Sequence, residues 1–225
     1  MTDSYELLHR ASAVLFDFDG PVCSVFAGYP APTIAGELLQ YLLGQNVELT
    51  SEVASETDPM EVLRWTGANE PGLTAQVEDR LSDAERKAVE TAAPTPFSTE
   101  AIQAARSRGQ RVAIVSNNSA GAVEKYLSAH GLTAQVELVV GRAYAEPSRM
   151  KPNPEPLLRA VEAFSLRPED SVLIGDALTD IEACKRAGVR SVGYAKDETR
   201  EVALTSAGAE LVITSMSAVA GGGLV

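Results

Sequence analysis

Short apolar runs alternate with helical patterns along most of the chain. Six runs are typical of buried strands, at residues 13–20, 111–116, 136–140, 171–176, 191–195 and 210–214. From residue 98 onwards, the stretches between them carry apolar side chains at helical spacing and stop at glycines such as Gly109 and Gly131. Because strands separated by helices in this way form parallel sheets covered on both faces, the pattern predicts an α/β fold with a doubly wound, Rossmann-like core.

Residues 22–95 interrupt this alternation with helical patterns alone. Apolar side chains recur every fourth residue from Ile34 to Leu42, and Asp58 before a proline has the form of a helix start. A further apolar stripe ends at Leu81, after which Ser82-x-x-Glu85 predicts a capping box at the start of another helix.

The interruption predicts two domains. The Rossmann-like core comprises residues 1–21 and 96–225, and residues 22–95, hereafter the insertion, form a small α-helical cap. The insertion follows the first strand directly and returns through Pro94-Thr-Pro-Phe97, so it is expected over the carboxyl ends of the strands, where ligands bind in such sheets. The glycine-rich tail at residues 221–225 is expected to be flexible.

Composition argues against several classes of partner. Of the 225 residues, 31 are acidic and 19 are basic, so the formal charge is 19 − 31 = −12. An acidic chain without a run of Lys or Arg repels nucleic acid and anionic membranes, and no apolar stretch approaches the roughly 18 residues that span a bilayer. We expect a cytoplasmic monomer or dimer. Cys23 and Cys184 form neither a disulfide framework nor a zinc pattern, and we expect both to be buried.

Polar side chains stand at the carboxyl ends of predicted strands or in the loops that follow them. Because parallel strands end at one edge of the sheet, these side chains should meet in a single crevice. Four carboxylates crowded together would repel one another unless a divalent cation neutralised them, and oxygen-rich ligation selects magnesium rather than zinc. The sequence therefore predicts a Mg²⁺ site in a crevice that contains Asp17, Asp19, Ser116, Asn117, Lys151, Asp176 and Asp180.

A magnesium ion beside a lysine and a serine can gather the oxygens of a phosphate group. Asp17 and Asp19 are then suited to supply the nucleophile and the proton donor, because alternate residues of a strand share a face and Gly20 allows a turn. Attack of one carboxylate on phosphorus gives an aspartyl phosphate, which water hydrolyses with the second carboxylate as base.

Four segments together resemble the ordered motifs of the haloacid dehalogenase superfamily of aspartate-nucleophile hydrolases. The segments are Leu15-Phe-Asp-Phe-Asp-Gly20, Ile114-Val-Ser-Asn-Asn118, Met150-Lys-Pro-Asn-Pro154 and Ile174-Gly-Asp-Ala-Leu-Thr-Asp180. The insertion between the first two motifs is similar to that of the phosphoglycolate phosphatase and β-phosphoglucomutase branch.

The resemblance implies a role for each residue of the predicted crevice. Asp17 would be the nucleophile and Asp19 the general acid and base. The phosphoryl oxygens would be held by Ser116, with Asn117 beside it, and by Lys151. The magnesium site would comprise Asp17, Asp19, Asp176 and Asp180.

One position departs from the pattern of the superfamily. Members usually carry Thr or Ser after the glycine of the first motif, whereas this chain has Pro21, which has neither a hydroxyl nor a backbone N–H. The departure removes a local hydrogen bond that helps to orient Asp19, so it predicts either low activity or a loop that is held differently.

The function that these features predict is Mg²⁺-dependent hydrolysis of a phosphomonoester of a small metabolite, with cap movement gating access to Asp17. An aspartate at position 19 argues against dehalogenases, and a response-regulator receiver domain has its lysine last, whereas Asp176 and Asp180 follow Lys151 here. Two alternatives stay open: a phosphomutase of the β-phosphoglucomutase kind, and a catalytically silent phosphate-binding module.

Overall fold

The core of the protein is a six-stranded, wholly parallel sheet. The computed structural model describes residues 2–221, so all but the first residue of the predicted flexible tail lies outside the described residues. Its strands are β1 Ala13–Phe16, β4 Arg111–Val115, β5 Leu138–Val140, β6 Ser171–Gly175, β7 Arg190–Tyr194 and β8 Leu211–Ile213. They lie side by side in the order β5-β4-β1-β6-β7-β8. All six predicted strands are therefore present. β4 and β5 lie on one side of β1, whereas β6, β7 and β8 lie on the other, so the order of the strands reverses between β1 and β6.

Helices cover both faces of this sheet. Side chains of β1 alternate between two buried clusters: Val14 and Phe16 pack on one face, and Ala13 and Leu15 on the other. The helices of the core are α1 Thr2–Arg10, α6 Ser98–Ser107, α7 Ala120–Ala129, α8 Glu155–Ala163, α9 Leu178–Ala187, α10 Glu198–Ala207 and α11 Ser217–Ala220. Burial of both faces explains the continuous apolar runs of the sequence and confirms the predicted doubly wound α/β class.

Cys23 and Cys184 are free thiols in the buried clusters of the core, as predicted. Within the described residues, no helix is both long and apolar enough to serve as a membrane span.

The insertion is helical and has its own buried cluster. Its helices are α2 Ala31–Gly44, α3 Ser51–Ala54, α4 Pro59–Asn69 and α5 Thr74–Ala88. The apolar side chains of α2, α4 and α5 pack together, including Ile34, Leu38, Leu63 and Leu81. Asp58 begins α4 as predicted, because its carboxylate accepts a hydrogen bond from the backbone N–H of Met60 at 2.8 Å.

The predicted capping box at Ser82 and Glu85 is wrong. Both residues lie inside α5, which runs without interruption from Thr74 to Ala88. The Ser82 hydroxyl contacts Glu78 at 3.0 Å, one turn earlier, and the Glu85 carboxylate is directed into the protein interior. The capping pattern misleads here because a serine is tolerated within a helix when tertiary contacts hold that helix in place.

The two connections between the core and the insertion pair with each other. β2, Cys23–Ser24, and β3, Ala93–Pro94, form a short antiparallel ribbon. Beside it, the Thr95 hydroxyl donates to the carbonyl of Gly20 at 2.5 Å, and the Thr95 N–H donates to the carbonyl of Val22 at 3.0 Å. The ribbon therefore fixes the loop that follows β1, which is the loop that carries Asp19.

Candidate active site

The predicted crevice residues converge at the carboxyl end of the sheet. β1 ends at Phe16, so Asp17 and Asp19 lie in the loop after the strand rather than within it. Ser116 follows β4, Asp176 follows β6, and Asp180 lies in the first turn of α9. All seven predicted residues line one cavity of about 670 Å³ between the core and the insertion.

Three carboxylates and one ammonium form the base of this cavity. Oxygens of Asp17, Asp176 and Asp180 lie within 4.8 Å of one another. Nζ of Lys151 is 2.9 Å from Oδ1 of Asp17 and 2.6 Å from Oδ1 of Asp180, and it donates to the carbonyl of Val115 at 3.0 Å. Lys151 is 1% exposed, and a lysine is rarely buried unless its ammonium is paired, as it is here with the two carboxylates.

The charge at the base of the cavity is out of balance. One ammonium against three carboxylates leaves 1 − 3 = −2 in formal charge. Burial raises the pKa of Asp17 to about 8, with Lys151 opposing and Asp180 and Asp176 adding to the shift. Burial and the charge of Asp180 likewise raise the pKa of Asp176 to about 6. The donors are all oxygens, so the cluster fits a hard divalent cation, which would relieve the excess of negative charge.

Asp19 is separate from this three-carboxylate group. Its Oδ1 accepts a hydrogen bond from the N–H of Val25 at 2.9 Å, so a later part of the loop orients Asp19 although Pro21 has no N–H to offer. Burial raises the pKa of this carboxyl, which favours its protonated form. The predicted contribution of Asp19 to the metal site stays a prediction.

Ser116 and Asn117 follow β4 and line the same cavity as the carboxylates. The Ser116 hydroxyl is buried and bonds to the side chain of Asn118 at 3.1 Å. The Asn117 side chain spans the gap to the next loop, because its Oδ1 accepts from the N–H of Lys151 at 2.8 Å and its Nδ2 donates to the Lys151 carbonyl at 3.1 Å. Asn117 thus holds Lys151 in place, and its predicted phosphate contact stays a prediction.

Gly20 is required by the close approach of two loops. Its φ is +106°, and a Cβ at this position would overlap the carboxylate of Asp176. Gly109 also has a positive φ, of +77°, but has open space around it.

We expect Gly20→Ala to cost about 1–3 kcal/mol of stability, and to reduce turnover by displacing Asp176, whereas Gly109→Ala should lower stability only. Urea unfolding and phosphate release measure the two effects, and equal turnover in both variants would contradict this account.

A buried charge network joins α5 of the insertion to the loop after β4. Arg142 bridges Glu78 and Glu85, with Nη2–Oε1 of 2.6 Å and Nη1–Oε1 of 2.9 Å, and all three side chains are almost wholly buried. Arg142 also donates to the carbonyl of Asn117 at 2.6 Å. Glu85 in turn accepts from the Asn118 side chain at 3.2 Å and from the N–H of Ser119 at 2.9 Å. The inserted helix therefore fixes the loop that presents Ser116.

Arg64 makes a second connection of the same kind. From α4 it donates to the carbonyl of Lys151 at 2.5 Å and to that of Pro147 at 3.3 Å. The sequence pattern identifies neither Arg64 nor the network of Arg142, Glu78 and Glu85, because these contacts join distant parts of the chain. The two loops that carry Ser116 and Lys151 are both held by side chains of the insertion.

The comparisons with known proteins agree with this geometry. Residues 33–194 match the haloacid dehalogenase-like hydrolase family. The chain belongs to this family. The match includes most of the insertion and three of the four motifs, and it confirms the predicted resemblance, including the likeness to phosphoglycolate phosphatases.

Known phosphoglycolate phosphatases are similar to this chain in sequence, and solved structures share its fold. A phosphoglycolate phosphatase of Aquifex aeolicus is 34% identical over 108 residues, which cover 46% of this chain and 49% of that protein. A phosphoglycolate phosphatase of Pectobacterium atrosepticum is 26% identical over 188 residues, which cover 79% of this chain and 77% of that protein. The structure of CbbY from Rhodobacter sphaeroides in complex with phosphate has a TM-score of 0.68 at 20% identity, and the match covers 92% of this chain and 95% of that protein. The match to the Aquifex protein thus spans about half of that relative's length.

Proposed function

We propose that the protein is a Mg²⁺-dependent phosphatase that hydrolyses a phosphomonoester of a small metabolite through an aspartyl phosphate. The observation that carries this proposal is the meeting of Asp17, Lys151, Asp176 and Asp180 around one point at the base of a cavity that also contains Asp19 and Ser116. Family membership and the phosphoglycolate phosphatases among the relatives support the same chemistry.

The residues divide into groups that hold the phosphate and groups that react with it. Ser116 and Lys151 hold the phosphoryl oxygens, and a Mg²⁺ ion held by Asp17, Asp176 and Asp180, with Asp19 nearby, would neutralise charge on the phosphoryl group. The Asp17 carboxylate attacks phosphorus, forming an O–P bond while the bond to the alcohol oxygen breaks. Asp19 gives its proton to that departing oxygen.

Asp19 then reverses its role in the second half of the reaction. It takes a proton from a water molecule, and the oxygen of that water attacks phosphorus and breaks the bond to Asp17. Inorganic phosphate leaves, and both carboxyl groups regain their initial protonation states. The hydrogen bond from Val25 keeps Asp19 oriented for both proton transfers.

We further propose that the insertion serves as the cap of this site, with boundaries at residues 22 and 95. Two features support that division: the separate buried cluster of α2, α4 and α5, and the β2–β3 ribbon at the two crossings. Opening of the cap would break the contact of Arg64 with the Lys151 carbonyl and those of Arg142 with Glu78 and Glu85, so access to Asp17 is coupled to the order of the phosphate-holding loops.

Release of phosphate from an aryl phosphate tests the proposed function. We expect turnover in the presence of Mg²⁺, and a fall of at least about a hundredfold with a chelator, because metal stabilisation of phosphoryl charge contributes several kcal/mol. Restoring Mg²⁺ in excess should restore the rate. Turnover that persists in the chelator would contradict the metal requirement, and no release from folded protein would favour the mutase or the silent module.

A further inference from the structure

We propose that Asp58 makes this enzyme selective for substrates whose leaving group carries hydrogen-bond donors and no second anionic group. The proposal rests on the phosphatase function above and specifies its substrate class. It distinguishes substrates that resemble ethanolamine phosphate or glycerol phosphate from phosphoglycolate, although phosphoglycolate phosphatases are among the relatives.

The insertion forms the side of the cavity that faces the leaving group. The nucleophile and the phosphate-holding side chains lie on the core, so the rest of the substrate extends towards the insertion. The side chains that the insertion presents there include one aromatic ring, one thioether, one hydroxyl and three charged groups. They are Phe26, Thr57, Asp58, Met60, Glu61 and Arg64.

The positive charge on this side of the cavity is already committed. Each side-chain nitrogen of Arg64 has an acceptor: Nε contacts Glu61 at 3.1 Å, Nη1 the carbonyl of Pro147, and Nη2 the carbonyl of Lys151. Among the described residues of the insertion that line the cavity, Arg64 is the sole cation. The charge of Arg64 is therefore paired with the Glu61 carboxylate, and three of its five N–H groups already have acceptors.

The negative charge of Asp58, in contrast, is available to a ligand. Its Oδ1 caps α4, while Oδ2 has no hydrogen-bond donor among the described residues, and the residue is exposed. Asp58 lies on the leaving-group side, because it is one of the insertion residues that line the cavity, and no basic side chain of the described residues forms an ion pair with it. An ammonium or hydroxyl of the leaving group can bond to Oδ2 of Asp58, whereas a carboxylate or second phosphate is repelled.

Lys196 and Arg200 do not offset this effect. Lys196, whose Nζ is 3.5 Å from Oδ2 of Asp176, is on the core. Arg200 lines the cavity from α10 of the core, so it too lies on the phosphoryl side of the site. There it attracts the phosphate that is to be cleaved. The unpaired negative charge of Asp58 thus remains on the insertion side of the cavity.

The test uses two substrates of nearly equal size, ethanolamine phosphate and phosphoglycolate, with wild type and Asp58→Asn. Asparagine is as good an N-cap as aspartate, so this variant removes the charge and keeps the start of α4. We expect wild type to favour ethanolamine phosphate by at least about tenfold in kcat/KM, and Asp58→Asn to reduce this preference by about tenfold. The ratio for one preparation is independent of the fraction of folded protein.

Glu52→Gln is the matched control. It removes one negative charge from α3 of the insertion without touching the lining of the cavity, so the preference should be unchanged. One outcome would overturn the proposed selectivity but not the proposed function. In that outcome wild type hydrolyses phosphoglycolate as well as ethanolamine phosphate or better, and Asp58→Asn has the same ratio, while Mg²⁺-dependent hydrolysis of an aryl phosphate persists. If wild type did not hydrolyse the aryl phosphate either, both the selectivity and the phosphatase function would be overturned.

Discussion

Asp17→Asn is expected to reduce turnover of every phosphomonoester by at least about ten-thousandfold, because an amide is too weak a nucleophile to form the intermediate. Asparagine keeps the shape of the side chain, and Lys151 retains Asp180 as a partner at 2.6 Å. The variant should therefore fold, and circular dichroism with urea unfolding checks that it does. Initial rates of phosphate release with Mg²⁺ measure the effect.

Asp79→Asn is the control for this prediction. Asp79 lies outside the cavity, at the surface, and its carboxylate accepts a hydrogen bond from the Tyr144 hydroxyl at 3.0 Å. Its turnover should equal that of wild type. Turnover by Asp17→Asn that approached the wild-type rate would assign the attack on phosphorus to another group and contradict the assignment of Asp17.

Arg142→Met is expected to have the largest effect on stability. Its removal leaves Glu78 and Glu85 buried without their cation, and breaking a buried ion pair in this way typically costs about 3–5 kcal/mol. The loop that carries Ser116 also loses the bond from Arg142 to the Asn117 carbonyl, so kcat should fall by at least about tenfold. Urea unfolding gives the free energy, and phosphate release from the folded fraction gives kcat.

Two further variants separate loss of charge balance from loss of position. Arg149→Met removes an arginine that is itself partly exposed, Glu146 is exposed, and the partly buried Glu155 keeps Arg159 at 3.7 Å, so both stability and kcat should stay close to wild type. The triple variant Glu78→Met, Arg142→Met, Glu85→Met should recover most of the lost stability, because no unpaired charge remains buried. Its kcat should stay low, since Asn118 and Ser119 lose their acceptor. Recovery of both would assign the network a structural role alone.

The sheet and the strand ends could be predicted because their cause is local. The four inner strands of the parallel sheet are buried on both faces and the two edge strands are partly buried, and strands buried in this way have continuous apolar sequences. Parallel order then brings Asp17, Ser116 and Asp176 to one edge, whichever way the intervening loops run. Asp58 was also predictable, because capping depends on neighbours two or three residues away.

The network around Arg142 could not be predicted, because its partners are 57 and 64 residues away. Glu78 and Glu85 are seven residues apart and flank Leu81 on one helix face, so two carboxylates interrupt an apolar stripe. That interruption is the available signal, and the capping pattern of Ser82 and Glu85 pointed to a different interpretation. No local rule states which distant cation would neutralise them.

The central claim is that phosphate is transferred to Asp17, and trapping that intermediate tests it most directly. An activated aryl phosphate needs no proton on its leaving group, whereas hydrolysis of the intermediate needs Asp19 as base, so Asp19→Asn should accumulate the phosphoenzyme. After acid quenching, mass spectrometry should find one phosphoryl group on the peptide that contains position 17, removable by hydroxylamine and absent from the Asp17→Asn, Asp19→Asn double variant. A phosphoryl group on any other residue, or none during continued turnover, would contradict the account.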